Sequence, residues 1–566
     1  MKRILLFSLF WFILNLIQSY FTEIIDDEAY YWVYSKFLDW GYFDHPPVIA
    51  LMVKLGYVFF QNELGVRLLS SLMGAGTVFL ILYMLKDELR DLRLAMLLLL
   101  AVPLMHFHVA GSLATPDIPL VFFTTLFFFL YKRFVKDASL SNILMLALCI
   151  ALMLYSKYHA FLVIGFIVLS NLRLLRRWRF WIIVILAGAF YLPHIIWQVK
   201  HDFVTFSYHL VERSRPFELK HILDYIGGQL LLLGPVTGTL LLILGIRKKT
   251  ADPFTSSLKY TFLGIFIFFL VSSVRGHVEA HWTAAGYIPL LLYTLPLADR
   301  SKFFQKRGVL LAAVTLPLIV VIRLALIIDT DSVPDQLRKR FHGKEEAMQA
   351  IEARAGDRTV VFTNSYQNAS VYWFFTGKPA FNYSNKHYHR TQYDLIGMEA
   401  DLTGKQVLFI TRHGFPGCDT LNTGIKEYIM HDVDYYCGYN RVVIRPPQLE
   451  WELIQSSEVE VSLTLFNPGN DTVFFNGPCT HLPQLMYSYF DKNRQNKTFY
   501  DSKAGPLPDL LPGAEERYTI RMKVPDSPGE YNILFSIGSK HIPPGINGKP
   551  VRMTVLARST TNSGNN

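Results

Sequence analysis

Between residues 4 and 328, apolar runs close to the ~20-residue length that spans a bilayer recur about eleven times. Hydrocarbon offers no partner for a backbone N–H or C=O, so such runs must fold as helices that satisfy their own polar groups. They fall at 4–22, 64–85, 94–111, 116–131, 141–155, 158–172, 180–198, 226–246, 258–274, 282–298 and 308–328. A further run, 47–60, is short, follows Pro46-Pro47 and holds Lys54, which fits a helix lying at the membrane interface. The predicted class is a polytopic α-helical membrane protein, and a hydrophobic content of 51% agrees with it.

Basic residues cluster in alternate loops, among them Lys86, Arg90 and Arg93, then Arg173, Arg176, Arg177 and Arg179, then Arg300, Lys302, Lys306 and Arg307. The positive-inside rule makes those loops cytoplasmic and puts 23–63, 112–117, 156–159, 199–225 and 275–281 on the other face. Topology therefore accounts for the net charge of +10, which gives no single basic face for nucleic acid. Met1-Lys2-Arg3 before an apolar run resembles a signal peptide, but Gln18-Ser19-Tyr20 offers no cleavage site, so this run is expected to stay as a helix.

After residue 330 charged and turn-forming residues return, and an odd number of spans carries this tail to the extracytoplasmic side. Residues 331–446 mix a helical stretch, 344–355, with strand-like runs at Thr359-Val360-Val361-Phe362 and 406–410, which predicts a soluble α/β domain. Past Pro446-Pro447, residues 447–557 alternate as in Val459-Glu460-Val461-Ser462-Leu463, the pattern of a β-sandwich. Residues 558–566 are polar and read as a disordered tail. In an oxidising compartment one disulfide can form in the tail, with Cys418 and Cys437 the favoured pair.

Chemistry concentrates on the outer face. Asp26, Asp27 and Glu28 stand where the first span leaves the bilayer, among Tyr30, Tyr31 and Trp32, and the tract closes on Asp44-His45-Pro46-Pro47. Adjacent carboxylates can serve as a general base, and Asp27 with Glu28 could hold a divalent cation. Helical spacing of about 100° lets only one or two of them face a common site, and a solvated helix cap is the plain alternative. Asp117 lies in the next outer loop. Lys157, Arg275, His277 and His281 end other spans on the same side, and cations at that depth suit a lipid-borne phosphate. The spacing His277-x-Glu279-x-His281 is a weak metal signal, because alternate residues share a face only on a strand.

The tract DDEAYYWVYSKFLDWGYFDHPP, together with SLATPDIPL, SKYHAF and VVFTNSYQNASVYWFFTGKPAF, resembles bacterial members of the dolichyl-phosphate-mannose-protein mannosyltransferases, glycosyltransferase family 39. That family is related to the lipid A aminoarabinose transferases. The resemblance covers the membrane region and the first part of the tail. It implies a C-type glycosyltransferase fold and a polyprenyl-phosphate-linked sugar as donor, with a protein or a glycolipid as acceptor. It also implies catalytic roles for Asp27, Glu28 and Asp117, with Asp27 the base, and a lipid-phosphate role for Lys157.

Arg275 and His281 join Lys157 as expected phosphate ligands, and Tyr30, Tyr31, Asp44, His45 and His277 are expected to meet substrate. A bacterial inner membrane is the implied location. A secondary transporter is the rival class, but the charges gather at one membrane face and no internal repeat is evident.

Overall fold

The computed structural model describes residues 1–207, 218–385, 390–412, 414, 417–476, 483–491, 498–502, 506–539 and 542–558. The expected disordered tail, all but its first residue, and part of the outer loop 199–225 lie outside the described residues. The chain forms two compact units, Met1–Lys344 and Glu345–Asn566. The first unit extends past the boundary expected at 330, because the segment after the last long helix packs back onto it.

The first unit is helical. Its helices are α1 Lys2–Phe21, α2 Asp26–Lys36, α3 Val48–Tyr57, α4 Glu63–Leu85, α5 Leu92–Leu100, α6 Asp117–Lys136, α7 Leu140–Ser156 and α8 Ala160–Ser170. They continue as α9 Trp178–Lys200, α10 Val204–Ser207, α11 Leu219–Leu233, α12 Thr239–Arg247, α13 Pro253–Ser272, α14 Ala284–Asp299, α15 Lys302–Ala325 and α16 Asp335–Phe341. Among the described residues, seven helical stretches are long and apolar enough to cross a membrane. The other expected spans are shorter helices, and the run at 94–111 is broken into α5 and a π-helical turn, Met105–Val109. A second π-helical turn, Gly234–Gly238, joins α11 to α12.

Helix α1 shows the inverted polarity that lipid imposes. Its buried residues include Ser8, Asn15, Gln18 and Ser19, while Leu5, Leu6, Leu9, Phe10, Ile13 and Ile17 are about half exposed. Polar groups in a bilayer turn inward because only protein can satisfy them. Arg323 of α15 donates to Asn15 Oδ1 at 2.9 Å and to the His106 carbonyl at 3.2 Å, fastening α15 to α1 and the first π turn. Trp11 and Asn15 both donate to the Ala110 carbonyl, at 2.7 and 2.8 Å. Gly74 of α4 lies against the same carbonyl, where a Cβ would sit 2.4 Å from the oxygen.

The second unit opens with α17 Lys344–Ala355, whose first residue belongs to the first unit, followed by β1 Thr359–Thr363, α18 Tyr366–Thr376, β2 Ala380–Tyr383 and α19 Gln392–Ile396. Strands β3 Val407–Thr411, β4 Asp419–Asn422 and β5 Glu427–Val433 complete a sheet of order β2-β1-β3-β5-β4. Its first three strands are parallel, and β5 runs antiparallel to β3 and β4.

The remaining strands are β6 Val443–Arg445, β7 Glu450–Ile454, β8 Glu458–Phe466, β9 Gln484–Asp491, β10 Thr498–Asp501, β11 Glu515–Lys523, β12 Gly529–Gly538 and β13 Val551–Leu556. They make two sheets, β10-β9-β12-β13-β7 and β11-β8-β6. Leu463 and Leu465 of β8 share one core with Phe535 of β12 and Met553 of β13, so the two sheets form a sandwich. Strand β6 precedes Pro446-Pro447 yet pairs with β8, so the sandwich starts before the expected boundary.

The expected disulfide is corrected. Cys437, 5% exposed in the sandwich core, is disulfide-bonded, whereas Cys418 is in no disulfide. Cys418 lies just ahead of the edge strand β4, away from that core.

The close approach at Gly74 yields a direct test. Gly74→Ala must push α4 away from the Ala110 carbonyl and is expected to destabilise the protein by ~1–3 kcal/mol. Thermal unfolding in detergent measures it, and an unchanged melting temperature would contradict the packing described.

Candidate functional site

Helix α2 places the three adjacent carboxylates on different sides, and each meets a different fate. Asp26 pairs with the Lys344 ammonium at 2.5 Å. Glu28 is fully buried and bound by the equally buried Arg67 of α4, through Nε at 2.8 Å and Nη2 at 2.5 Å. It also accepts the N–H of Ile25 at 3.1 Å, at the start of α2, and the N–H of Ala114 at 2.6 Å. Asp27 accepts no hydrogen bond and forms no ion pair among the described residues.

The Arg67 fork is equally committed. Nη1 donates to the carbonyls of Ser19 at 3.0 Å and Thr22 at 2.5 Å, and Nη2 also donates to Glu23 at 2.8 Å. One guanidinium thus caps the end of α1, pins the start of α2 and, through Glu28, holds the loop that leads to Asp117. This corrects the expectation for Glu28. Its oxygens carry four hydrogen bonds from protein donors, which leaves it a positioning group. A cation shared by Asp27 and Glu28 does not fit that arrangement, and no three His, Cys, Asp or Glu side chains converge on a metal cage among the described residues.

Asp117, 1% exposed, stands at the first turn of α6, where the helix dipole favours a carboxylate. Lys157 at the end of α7 reaches it with Nζ at 2.8 and 2.9 Å from the two oxygens. His281 Nε2 lies 3.7 Å from Asp117 Oδ2, and its ring stacks on His108 of the first π turn at 4.9 Å. Loss of hydration, then the positive surroundings of Lys157 and Arg340, hold His281 well below the ordinary histidine range. It therefore brings a neutral ring to the site at pH 7.

Asp44 and His45 enter from the loop after α2. Tyr34 donates to Asp44, and Tyr31 OH meets His45 Nε2 at 3.2 Å. Tyr30 is withdrawn into the packing, edge-on to Tyr34 at 4.6 Å, so the expected aromatic surface for substrate is largely internal. His277 is exposed and pairs with Glu279 at 3.4 Å, and Arg275 is exposed with no ion pair among the described residues. Neither contacts the Asp117–Lys157–His281 group there, so the expected phosphate set is not assembled as a whole.

Burial pushes the Asp27 carboxyl up to about 6. That value is a balance in which Arg340 and Lys344 oppose the rise and Asp26 and Asp44 add to it. Asp27 is thus an uncommitted, partly dehydrated carboxylate, and such a group can take a proton from a hydroxyl near neutral pH. Sequence reasoning missed Arg67, His108 and Arg340. An arginine inside an apolar span was the readable signal for the first.

Three likenesses to known proteins accompany this geometry. Residues 44–197 match the sequence model described as dolichyl-phosphate-mannose-protein mannosyltransferase, a stretch that holds Asp44, His45, Asp117 and Lys157 but begins after Asp27. The lipid A galacturonosyltransferase RgtD of Rhizobium johnstonii is 23% identical over 431 residues, covering 70% of this chain and 87% of the relative. The crystal structure of ArnT from Cupriavidus metallidurans in the apo state superposes with a TM-score of 0.55 at 13% identity, covering 76% of this chain and 97% of that one.

The Arg67–Glu28 pair carries a measurable burden. Arg67→Ala leaves the Glu28 charge buried without its partner and is expected to cost ~3–5 kcal/mol. Thermal unfolding in detergent checks this, and a wild-type melting temperature would show that the pair does not hold the site together.

Proposed function

We propose that this chain, a multi-pass membrane glycosyltransferase of the C-type fold related to glycosyltransferase family 39 and to lipid A transferases, moves a sugar from a polyprenyl phosphate to a hydroxyl of an envelope glycolipid. The reaction takes place on the extracytoplasmic face of a bacterial inner membrane. The observation that carries the reading is the contrast at the start of α2, where Asp26 and Glu28 are bound by cations and the half-buried Asp27 is uncommitted.

The acceptor hydroxyl loses its proton to the Asp27 carboxylate as its oxygen attacks the anomeric carbon. The bond from that carbon to the phosphate oxygen breaks, and polyprenyl phosphate departs with the electron pair. Lys157 spends two of its three N–H donors on Asp117, which leaves one for a phosphate oxygen. Asp117 holds the ammonium in place, and the neutral His281 ring can donate a further hydrogen bond. Asp44 and His45 flank the acceptor side. The glycolipid acceptor is supported by the likeness to a lipid A galacturonosyltransferase, and a protein acceptor by the partial match to the protein mannosyltransferases.

Purified protein incubated with a panel of polyprenyl-phosphate sugars, lipid A and envelope proteins should add one sugar mass to lipid A. Addition to protein alone would overturn the glycolipid reading, and addition to no acceptor would overturn the transferase reading. Asp27→Asn is expected to lower transfer by about 10²–10⁴-fold without loss of folding, and wild-type turnover in that variant would remove Asp27 as the base.

The pH profile follows from the same group. A base must be ionised, so kcat/KM should fall about tenfold per pH unit below about 6 and level off above it. Arg340 and Lys344 favour the ionised form of Asp27, and Asp26 and Asp44 oppose it. A profile flat from pH 4.5 to 7 would contradict this assignment.

A further inference from the structure

The cations expected to receive the donor's phosphate do not supply a free charge. Lys157 is cancelled by Asp117, His281 is neutral at pH 7, and Arg275 stands apart from both. The donor is a phosphodiester, and the departing polyprenyl phosphate is a monoester that gains charge as the bond breaks. Transition-state stabilisation therefore calls for a cation that is not already spent.

The segment after the last long helix provides one. Arg340 on α16 is exposed and makes no ion pair among the described residues, whereas Arg338 on the same helix pairs with Asp329 at 2.8 Å and Asp331 at 3.7 Å. Contacts on both sides fix its position. Phe341 and Leu337 pack against Ile25 and Leu113, the first two residues before Asp27 and the second next to Ala114. His342 Nε2 meets the Ala325 carbonyl at 2.8 Å. The N–H groups of Gly343 and Lys344 donate to Glu23 at 3.0 and 2.9 Å, and the Lys344 ammonium reaches Asp26. So anchored, the Arg340 charge lies within electrostatic reach of Asp27, His108 and His281 together. His108 Nδ1 is buried with no hydrogen-bond partner among the described residues, in a π-helical turn of the kind that gathers at functional sites.

We propose that Arg340 binds the phosphate of the lipid-linked donor, with His108, His281 and the remaining N–H of Lys157 completing the phosphate subsite. This rests on the donor reading above and adds the residue that neutralises the leaving group. The guanidinium fork matches two phosphate oxygens, which a lysine at the same place would not do. The membrane helices alone thus leave the subsite without its charge, and the linker that follows them supplies it.

The test measures the affinity of the purified full-length protein for undecaprenyl phosphate, alongside sugar transfer, for wild type, Arg340→Gln, Arg340→Lys and Arg338→Gln. Arg340→Gln is expected to weaken binding about tenfold or more, Arg340→Lys to lose less, and Arg338→Gln to match wild type. The acid limb of kcat/KM in Arg340→Gln should also move to higher pH, because Asp27 loses the cation that favours its ionised form, a shift that loss of a merely structural contact would not give. Melting temperatures confirm that the variants fold. If wild type binds the lipid phosphate and Arg340→Gln binds it equally, the role of Arg340 is overturned while the donor reading stands. If wild type does not bind it at all, the donor reading falls and takes this inference with it.

Discussion

The buried ion pair between Arg67 and Glu28 is the constraint on which the site depends. Taking both charges out of water costs several kcal/mol each, and that cost is tolerable only when every polar atom finds a partner. Here the guanidinium makes five hydrogen bonds and the carboxylate accepts four. The donors and acceptors come from the end of α1, the start of α2, the first turns of α4 and the loop before α6. Those segments cannot shift independently without stranding a charge, and they are the segments that carry Asp27 and Asp117.

Three consecutive acids show how surroundings assign different tasks to similar groups. Asp26 is spent on Lys344, which ties the linker to the start of α2. Glu28 is spent on Arg67, which ties the helices together. Asp27, turned about 100° from each neighbour, has no hydrogen bond or ion pair among the described residues, and its hydration is reduced. The first two pairs fix the frame around Asp27, and the Asp117–Lys157 pair ties α6 to the end of α7.

Much of this was legible in the chain because hydropathy and turn chemistry are local. The apolar runs gave the helices, and the alternation at Val459–Leu465 gave a sandwich strand. What could not be read depends on contacts between distant residues. Nothing periodic links Arg67 to Glu28, and an arginine in a long apolar run gives no sign of its partner. Glu28 was expected to be catalytic beside the base Asp27, because sequence does not report which carboxylate is already bonded. Lys157 looked like a free cation for the same reason. Arg340 lay beyond the last apolar run, inside the stretch expected to be the soluble α/β domain, and the choice of Cys418 as partner for Cys437 depended on a distance in space that sequence does not report.

The proposed mechanism is a direct displacement in which a single carboxylate, Asp27, removes the acceptor proton opposite the departing phosphate. The most direct measurement is the anomeric configuration of the transferred sugar, read by NMR on the product formed from a donor of known configuration. Inversion is the predicted result. Retention would mean two successive displacements through a covalent sugar–protein intermediate, and would contradict the mechanism.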